Sequence, residues 1–302
     1  MVAGESTRVL VTGASGLIGS ALVPSLKAGG CQVTRVVRGS AGGDDQISWD
    51  PSKPLASESI SGFDVVVHLA GESVVGRWSP EKKAKILDSR VIGTRNLAQA
   101  LAKSTQRPRV LITASAVGYY GDRGDEVLRE ESSTGGGFLA EVCREWEAAN
   151  QPAADAGIRT VQLRMGVVLS PEGGALQKML PAFRMGVGGK VGSGRQWMSW
   201  IHIQDLIGAV RQILKTDLMR GPVNLVAPEA VTNAEFTKTL GSVLSRPTVL
   251  PLPASAAKFA FGQMAQEVLL ASQRVEPARL LASGYSFQYS DLRKALEAAV
   301  KS

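Results

Sequence analysis

The residues with the plainest chemical purpose lie near the start of the chain. Thr12-Gly13-Ala14-Ser15-Gly16-Leu17-Ile18-Gly19 follows the apolar run Arg8–Thr12 and opens a helix-period stretch. In that setting Gly13 allows a tight strand-to-helix turn, Gly16 lets backbone approach a pyrophosphate, and Gly19 lets the helix pack closely. Phosphates then sit on free amides at a helix N-terminus, where the dipole favours negative charge. The plainer alternative is an ordinary glycine-rich turn. The next apolar run ends Val36-Val37-Arg38, 19 residues beyond Gly19. An acid there would accept the adenosine ribose 2′-hydroxyl. Arg38 instead offers a guanidinium fork suited to a 2′-phosphate, so NADP(H) is the expected cofactor. Its alternative is a solvated strand-end arginine.

Other polar groups stand where a ligand would be met. Glu72, Arg77 and Trp78 follow the apolar run ending in His68, and doubly wound sheets place ligands beyond the carboxyl ends of their strands. They are candidate substrate-facing groups, against a reading as solvated charges around a core tryptophan. Arg90 is a candidate for a cofactor phosphate or ribose, against a helix-surface ion pair. His68 lies in so apolar a run that it reads as a core residue rather than a base. His202 and Asp205 are three residues apart, and two ligands make too poor a site for a metal, so none is expected.

The elements that position these groups follow from patterning. Continuous apolar runs at 8–12, 33–37, 64–69, 109–113 and 159–163 read as strands covered on both faces. Between them lie helix-period stretches, such as 81–103 with Ala84, Leu87, Val91, Thr94, Leu97 and Leu101 on one face. Strand, helix, strand in this rhythm implies an α/β, Rossmann-type doubly wound parallel sheet. Pro24 falls inside the first helix and should bend it or remove a hydrogen bond. After residue 170 the pattern loosens. A glycine-rich segment at 186–194 reads as a lid or a plain connector. A helix at 205–215 and a strand at 223–226 follow, and Pro247, Pro251 and Pro253 mark a boundary. The expected division is a cofactor domain at 1–240 and a smaller C-terminal lobe at 245–302, closed by Leu292, Ala295, Leu296 and Ala299 at helical spacing.

Composition narrows the class. With 302 residues, 44% hydrophobic and 20% charged, the chain is too apolar for disorder. No run reaches the ~20 apolar residues needed to span a bilayer, so no membrane partner is expected. Cys31 and Cys143 do not make a disulfide framework, and the absence of a hydrophobic leader points to a cytoplasmic protein. The net charge is +7, but the basic residues form no dense run, so anionic small ligands are expected rather than nucleic acid.

The G-x-x-G-x-x-G spacing resembles the extended branch of the short-chain dehydrogenase/reductases. Ala70-Gly71-Glu72, Arg77-Trp78, Ser89-Arg90, Ser115-Ala-Val-Gly-Tyr-Tyr-Gly121, Trp146-Glu147, Leu163-Arg-Met-Gly-Val-Val-Leu169 and Gln273-Arg-Val-Glu-Pro277 are similar to its atypical "epimerase family" group. Members of that group are sometimes described as cell-division inhibitors and carry a C-terminal domain of unknown function. The resemblance implies that Leu69, Ala70 and Gly71 flank adenine and ribose, that Val168 borders the nicotinamide, and that Ser115 lies near the place of a substrate-polarising hydroxyl. If Tyr120-Gly121 is aligned to the usual Tyr-Gly, Ala116 takes that place instead, and Ser115 is a strand-end hydroxyl bonding backbone. Ordinary members use Tyr-x-x-x-Lys, with the two side chains on one helix face. The corresponding stretch, 138–147, holds neither tyrosine nor lysine. The resemblance therefore implies an NADP(H)-dependent oxidoreductase or epimerase-like enzyme without that pair, acting on a small molecule. The alternative is a cofactor-binding regulator with little turnover.

Overall fold

The computed structural model describes residues 6–301. Seven strands form one parallel sheet. β1 (Arg8–Thr12) pairs with β2 (Gln32–Val37) on one side and β4 (Val65–His68) on the other. β3 (Gln46–Ser48) lies outside β2, and β5 (Val110–Ala116) lies beside β4. Arg159–Met165 and Gly221–Leu225 complete the far edge. Along β1, Val9 and Val11 enter one core with Leu22 and Leu26 of α1 (Leu17–Ala28). Leu10 enters the opposite core with Leu97 and Leu101 of α2 (Pro80–Lys103). A strand covered on both faces has no solvent side on which to alternate, which is why the runs are uninterrupted in sequence.

The helix boundaries have local causes. Ser79 caps α2 by accepting from the Lys82 amide, with Pro80 in the first turn where its missing N–H costs nothing. Pro24 stands inside α1 without ending it, on the exposed side. Two details differ from the sequence reading. β3 was not anticipated, because three residues carry too little periodicity to register. Ser115 lies within β5 rather than past it.

A further core joins Leu169, Leu176, Phe183, Trp200 and Phe236 to Leu292, Ala295, Leu296 and Ala299 of the final helix, so the C-terminal helix packs on residues from before the proline-marked boundary. His202 and Asp205 are structural here. His202 Nδ1 accepts from the Gln204 amide at the start of a helix, and Asp205 accepts from the amides of Gln288 and Tyr289. No group of potential metal ligands occurs among the described residues. The 186–194 segment bridges to the chain at Val249 and Leu252. No described helix is long and apolar enough to cross a membrane.

His68 is fully buried, with Nδ1 2.6 Å from Thr12 Oγ1 across the β1–β4 pair. Burial pushes its pKa down to about 4. An unfolded chain protonates this ring near 6.5, so between those values the unfolded state binds the extra proton and stability falls as pH is lowered. Acidification from pH 7 to 4 should remove up to about 3 kcal/mol through this group. Urea midpoints measured across that range should fall more steeply for the native chain than for His68→Gln. Equal slopes would remove His68 from the acid sensitivity.

Candidate functional site

A cavity of about 550 Å³ opens at the carboxyl ends of β1, β2 and β4. The strand order reverses between β1 and β4, and open α/β sheets bind ligands at such a crevice. Residues 12–16 form its floor, 35–38 and 49–52 one wall, and 69–72 with Ser89 the other. A larger cleft of about 1290 Å³ lies at the opposite ends of the strands, with Arg8, Arg109, Arg211 and Lys215 facing Asp64 and Asp217. That end of a doubly wound sheet is not its ligand side.

The three glycines have separate reasons. Gly13 adopts φ +68°, and a Cβ there would meet Leu69 and Ala70 backbone at 2.7–2.8 Å. A Cβ on Gly19 would collide with Gly13 O and the Ala14 Cα. Gly16 caps α1 without a side-chain acceptor, and no acid stands in the first turn. The amides that begin at Leu17 and Ile18 are therefore left for an anion.

Arginines divide the cavity wall by role. Arg35 is held by both carboxylate oxygens of Asp45, at 3.0 and 3.2 Å. Arg38 is exposed on the wall and makes no hydrogen bond or ion pair among the described residues. Arg90 reaches the same wall from α2. Its Cζ would lie 3.3 Å from a Cβ on Gly71, and it sits over the Trp146 ring at 4.9 Å. Its Nη1 donates to Ile86 O, but no carboxylate among the described residues pairs with it, and burial holds its pKa below the ordinary value.

The remaining candidates do not converge. Glu72 lies on the cavity wall and accepts a 2.6 Å bond from Lys82, which holds its carboxyl below the usual range. Arg77 is exposed and reaches Phe259 O at 3.4 Å. Trp78 is buried, donates to Val74 O, and packs with Val142, Met264, Phe138 and Leu139. Val168 lies in a short strand paired to Trp200–His202. Its carbonyl approaches Gly174, which also touches Leu17 at the start of α1.

The helix expected at 138–147 is α3 (Phe138–Ala148). Leu139 and Cys143 pack against Gly118 at the end of β5. Burial pushes the Cys143 thiol up to about 12, so it is neutral near pH 7. Ser115 is buried and donates to Glu147 Oε1 at 2.6 Å. The same carboxylate accepts from Arg164 Nε at 2.9 Å and Nη2 at 2.8 Å. Burial alone would lower the Arg164 pKa, but the bonds to Glu147 outweigh it and hold it above its ordinary value. Arg164 Nη1 also donates to Tyr120 and to Glu130 O.

Sequence reasoning missed Arg35, Trp49, Asp50, Pro51 and Ser52 on the wall, and Ser89 opposite. The available signal was the short run Gln46-Ile47-Ser48, whose pairing with β2 brings 49–52 beside Arg38. The Glu147–Arg164 pair had no signal, since its partners are 17 residues apart on different elements.

Comparison with known proteins gives two family matches. Residues 9–225 match the NAD dependent epimerase/dehydratase family, and residues 252–299 match a domain of unknown function, DUF1731. The chain is 43% identical over 290 residues to the epimerase family protein Mb2239 of Mycobacterium bovis, covering 95% of this chain and 96% of that one. Among solved structures, the human epimerase family protein SDR39U1 (isoform 2) with NADPH superposes with a TM-score of 0.90 at 37% identity, covering 98% and 99% of the two chains. A nucleoside-diphosphate sugar epimerase from Corynebacterium glutamicum gives 0.81 at 41% identity, covering 98% of this chain and 58% of that one. With a cleft at the sheet's reversal and a family match over 9–225, the chain belongs to the NAD dependent epimerase/dehydratase family.

Proposed function

We propose that this chain binds NADP(H) and uses it as an oxidoreductase or epimerase-like enzyme on a small molecule, without Tyr-x-x-x-Lys. The observation that carries the reading is the cavity at the reversal. It joins an uncapped helix start, a glycine turn pressed on Leu69–Ala70, and an unpaired Arg38 where an acid would favour NAD. A human relative was crystallised with NADPH, which supports the same cofactor here.

In this reading Gly13–Gly16 and the first amides of α1, through Leu17 and Ile18, hold the pyrophosphate, with Gly19 allowing the helix its close approach. Arg38 holds the 2′-phosphate, and Leu69, Ala70 and Gly71 flank adenine and ribose. Arg90 brings a buried positive charge to the end of that wall, and Val168 borders the nicotinamide. When bound, the cofactor supplies or accepts a hydride. Leu139 and Cys143 of α3 are not suited to move the accompanying proton, because Leu139 has none and Cys143 keeps its own. Ser115 spends its hydroxyl proton on Glu147, so its role is to orient that carboxylate. Glu72 and Arg77 are the charged groups left to meet a substrate, with Trp78 behind them.

One observation favours the second reading, an NADP(H)-binding regulator with little turnover, for example of cell division. Trp78, Val142 and Met264 are buried together with Phe138, Leu139 and Leu269 packed against them, so side chains fill much of the space beside α3. Titration with NADPH and NADH, followed by a screen for NADPH oxidation on carbonyl compounds, separates the readings. Turnover supports the enzyme; tight binding without turnover on a broad panel supports the regulator.

Arg38→Ala should weaken NADPH binding about 10- to 100-fold and leave NADH binding near its starting value, because a charge-assisted fork is lost only with the 2′-phosphate. Equal losses would overturn the assignment of Arg38. Ser115→Ala should cost about 1–2 kcal/mol in thermal or urea unfolding and leave cofactor affinity unchanged. Glu147→Ala should cost about 3–5 kcal/mol, since it strands a buried guanidinium. Loss of turnover in Ser115→Ala with unchanged stability would return that hydroxyl to the chemistry.

A further inference from the structure

The net charge of +7 has a location. Residues 173–204 and 236–266 contain seven Lys or Arg and no Asp or Glu, so the rest of the chain is balanced. All seven (Lys178, Arg184, Lys190, Arg195, Lys238, Arg246 and Lys258) are exposed, and none forms an ion pair with a carboxylate among the described residues. The same two segments expose large apolar side chains. Phe259 is 86% exposed, Val249 78% and Met185 71%, with Val187 and Leu250 each more than half exposed.

The two segments meet in space at 184–191 and 246–252. Gly189 bridges to Val249 and Val191 to Leu252, and Arg246 Nε donates to Arg184 O at 2.8 Å. The helix Ala254–Phe261 starts directly after that pairing, with Ala257 turned inward and Phe259 outward. Apolar tips interleaved with unpaired cations make an amphipathic face.

We propose that this face docks on the surface of an anionic lipid bilayer. Charge complementarity selects the occupant. A second copy of the chain would bring seven unpaired cations against seven more, which is repulsive. Anionic headgroups meet those cations directly, while the exposed tips of Phe259, Val249, Leu250 and Met185 enter the acyl boundary without needing a matching pocket. Lysine and arginine stems lie along apolar surface with their heads at headgroup level. The expectation of no membrane partner rested on the absence of a spanning segment, and lying on a bilayer requires none.

The test is co-sedimentation of the full chain with phosphatidylcholine vesicles, with and without phosphatidylglycerol. Binding to the anionic vesicles alone, weakened by added salt, is expected. Phe259→Ser with Val249→Ser should lower vesicle partitioning about tenfold or more, as should Lys190→Glu with Lys258→Glu. Leu218→Ser, at an exposed site outside the face, should change nothing, and thermal melts of all variants establish folding. No binding to anionic vesicles at low salt would overturn the proposal, as would binding that survives both double substitutions. Concentration-dependent dimers in sedimentation velocity that the Phe259 and Val249 substitutions dissolve would assign the face to a second copy instead.

Discussion

Arg164 is a guanidinium buried at the end of an inner strand, and a charge in that position must have every donor answered. Glu147 takes two of its bonds from α3, and Tyr120 and the Glu130 carbonyl take the others. The Tyr119 ring covers its face at 3.5 Å. Each partner is then committed in turn. Tyr120 donates to Asn224, whose amide N–H donates to Glu130 and whose side chain donates to Glu276 O. One buried charge thereby joins α3, its own strand Arg159–Met165, β5, the edge strand Gly221–Leu225 and the C-terminal segment. It fixes α3 against the sheet without a tyrosine or lysine on that helix.

Two other arginines are left open by contrast. A burial penalty accepted without a carboxylate partner, as at Arg90, is stable only where hydrogen bonds or a π face partly answer it. Trp146 and the Ile86 carbonyl do so. Arg38 needs no such support because it is solvated. The protein therefore binds one guanidinium tightly into its frame, rests a second on an aromatic face and leaves Arg38 unpaired on the cleft wall. The partners of each guanidinium, which only the fold supplies, distinguish Arg164 from Arg90 and Arg38.

The central sheet was legible because parallel strands buried on both faces leave long apolar runs, and Val9, Leu10 and Val11 show the consequence in space. The cavity floor was legible because a turn between strand and helix demands glycine at defined places, and Gly13 and Gly19 collide with neighbours if a Cβ is added. Long-range pairing was not legible. Ser115 reads as a free hydroxyl near a strand end, and only the fold brings Glu147 to it from 32 residues away. The same applies to the exposed cations. Spread along 173–204 and 236–266 they look scattered, and the bridges at Val249 and Leu252 join the two segments that carry them.

The missing acid–base pair and the intact cleft are consistent with one another once their supports are separated. The cleft depends on backbone: a positive φ at Gly13, amides at the start of α1, and β2 and β3 in register. None of these involves α3. The helix is anchored independently by Arg164 at its end and by Trp146 donating to Thr94 of α2. At its start Glu267 from the C-terminal segment accepts from the amides of Phe138 and Leu139. The absence of tyrosine and lysine from 138–147 thus disturbs neither the backbone of the cleft nor the anchors of the helix. Beside α3, Trp78 and Met264 contribute apolar packing. A fold in which the glycine turn and α3 are anchored by different contacts can change the side chains of one without disturbing the other.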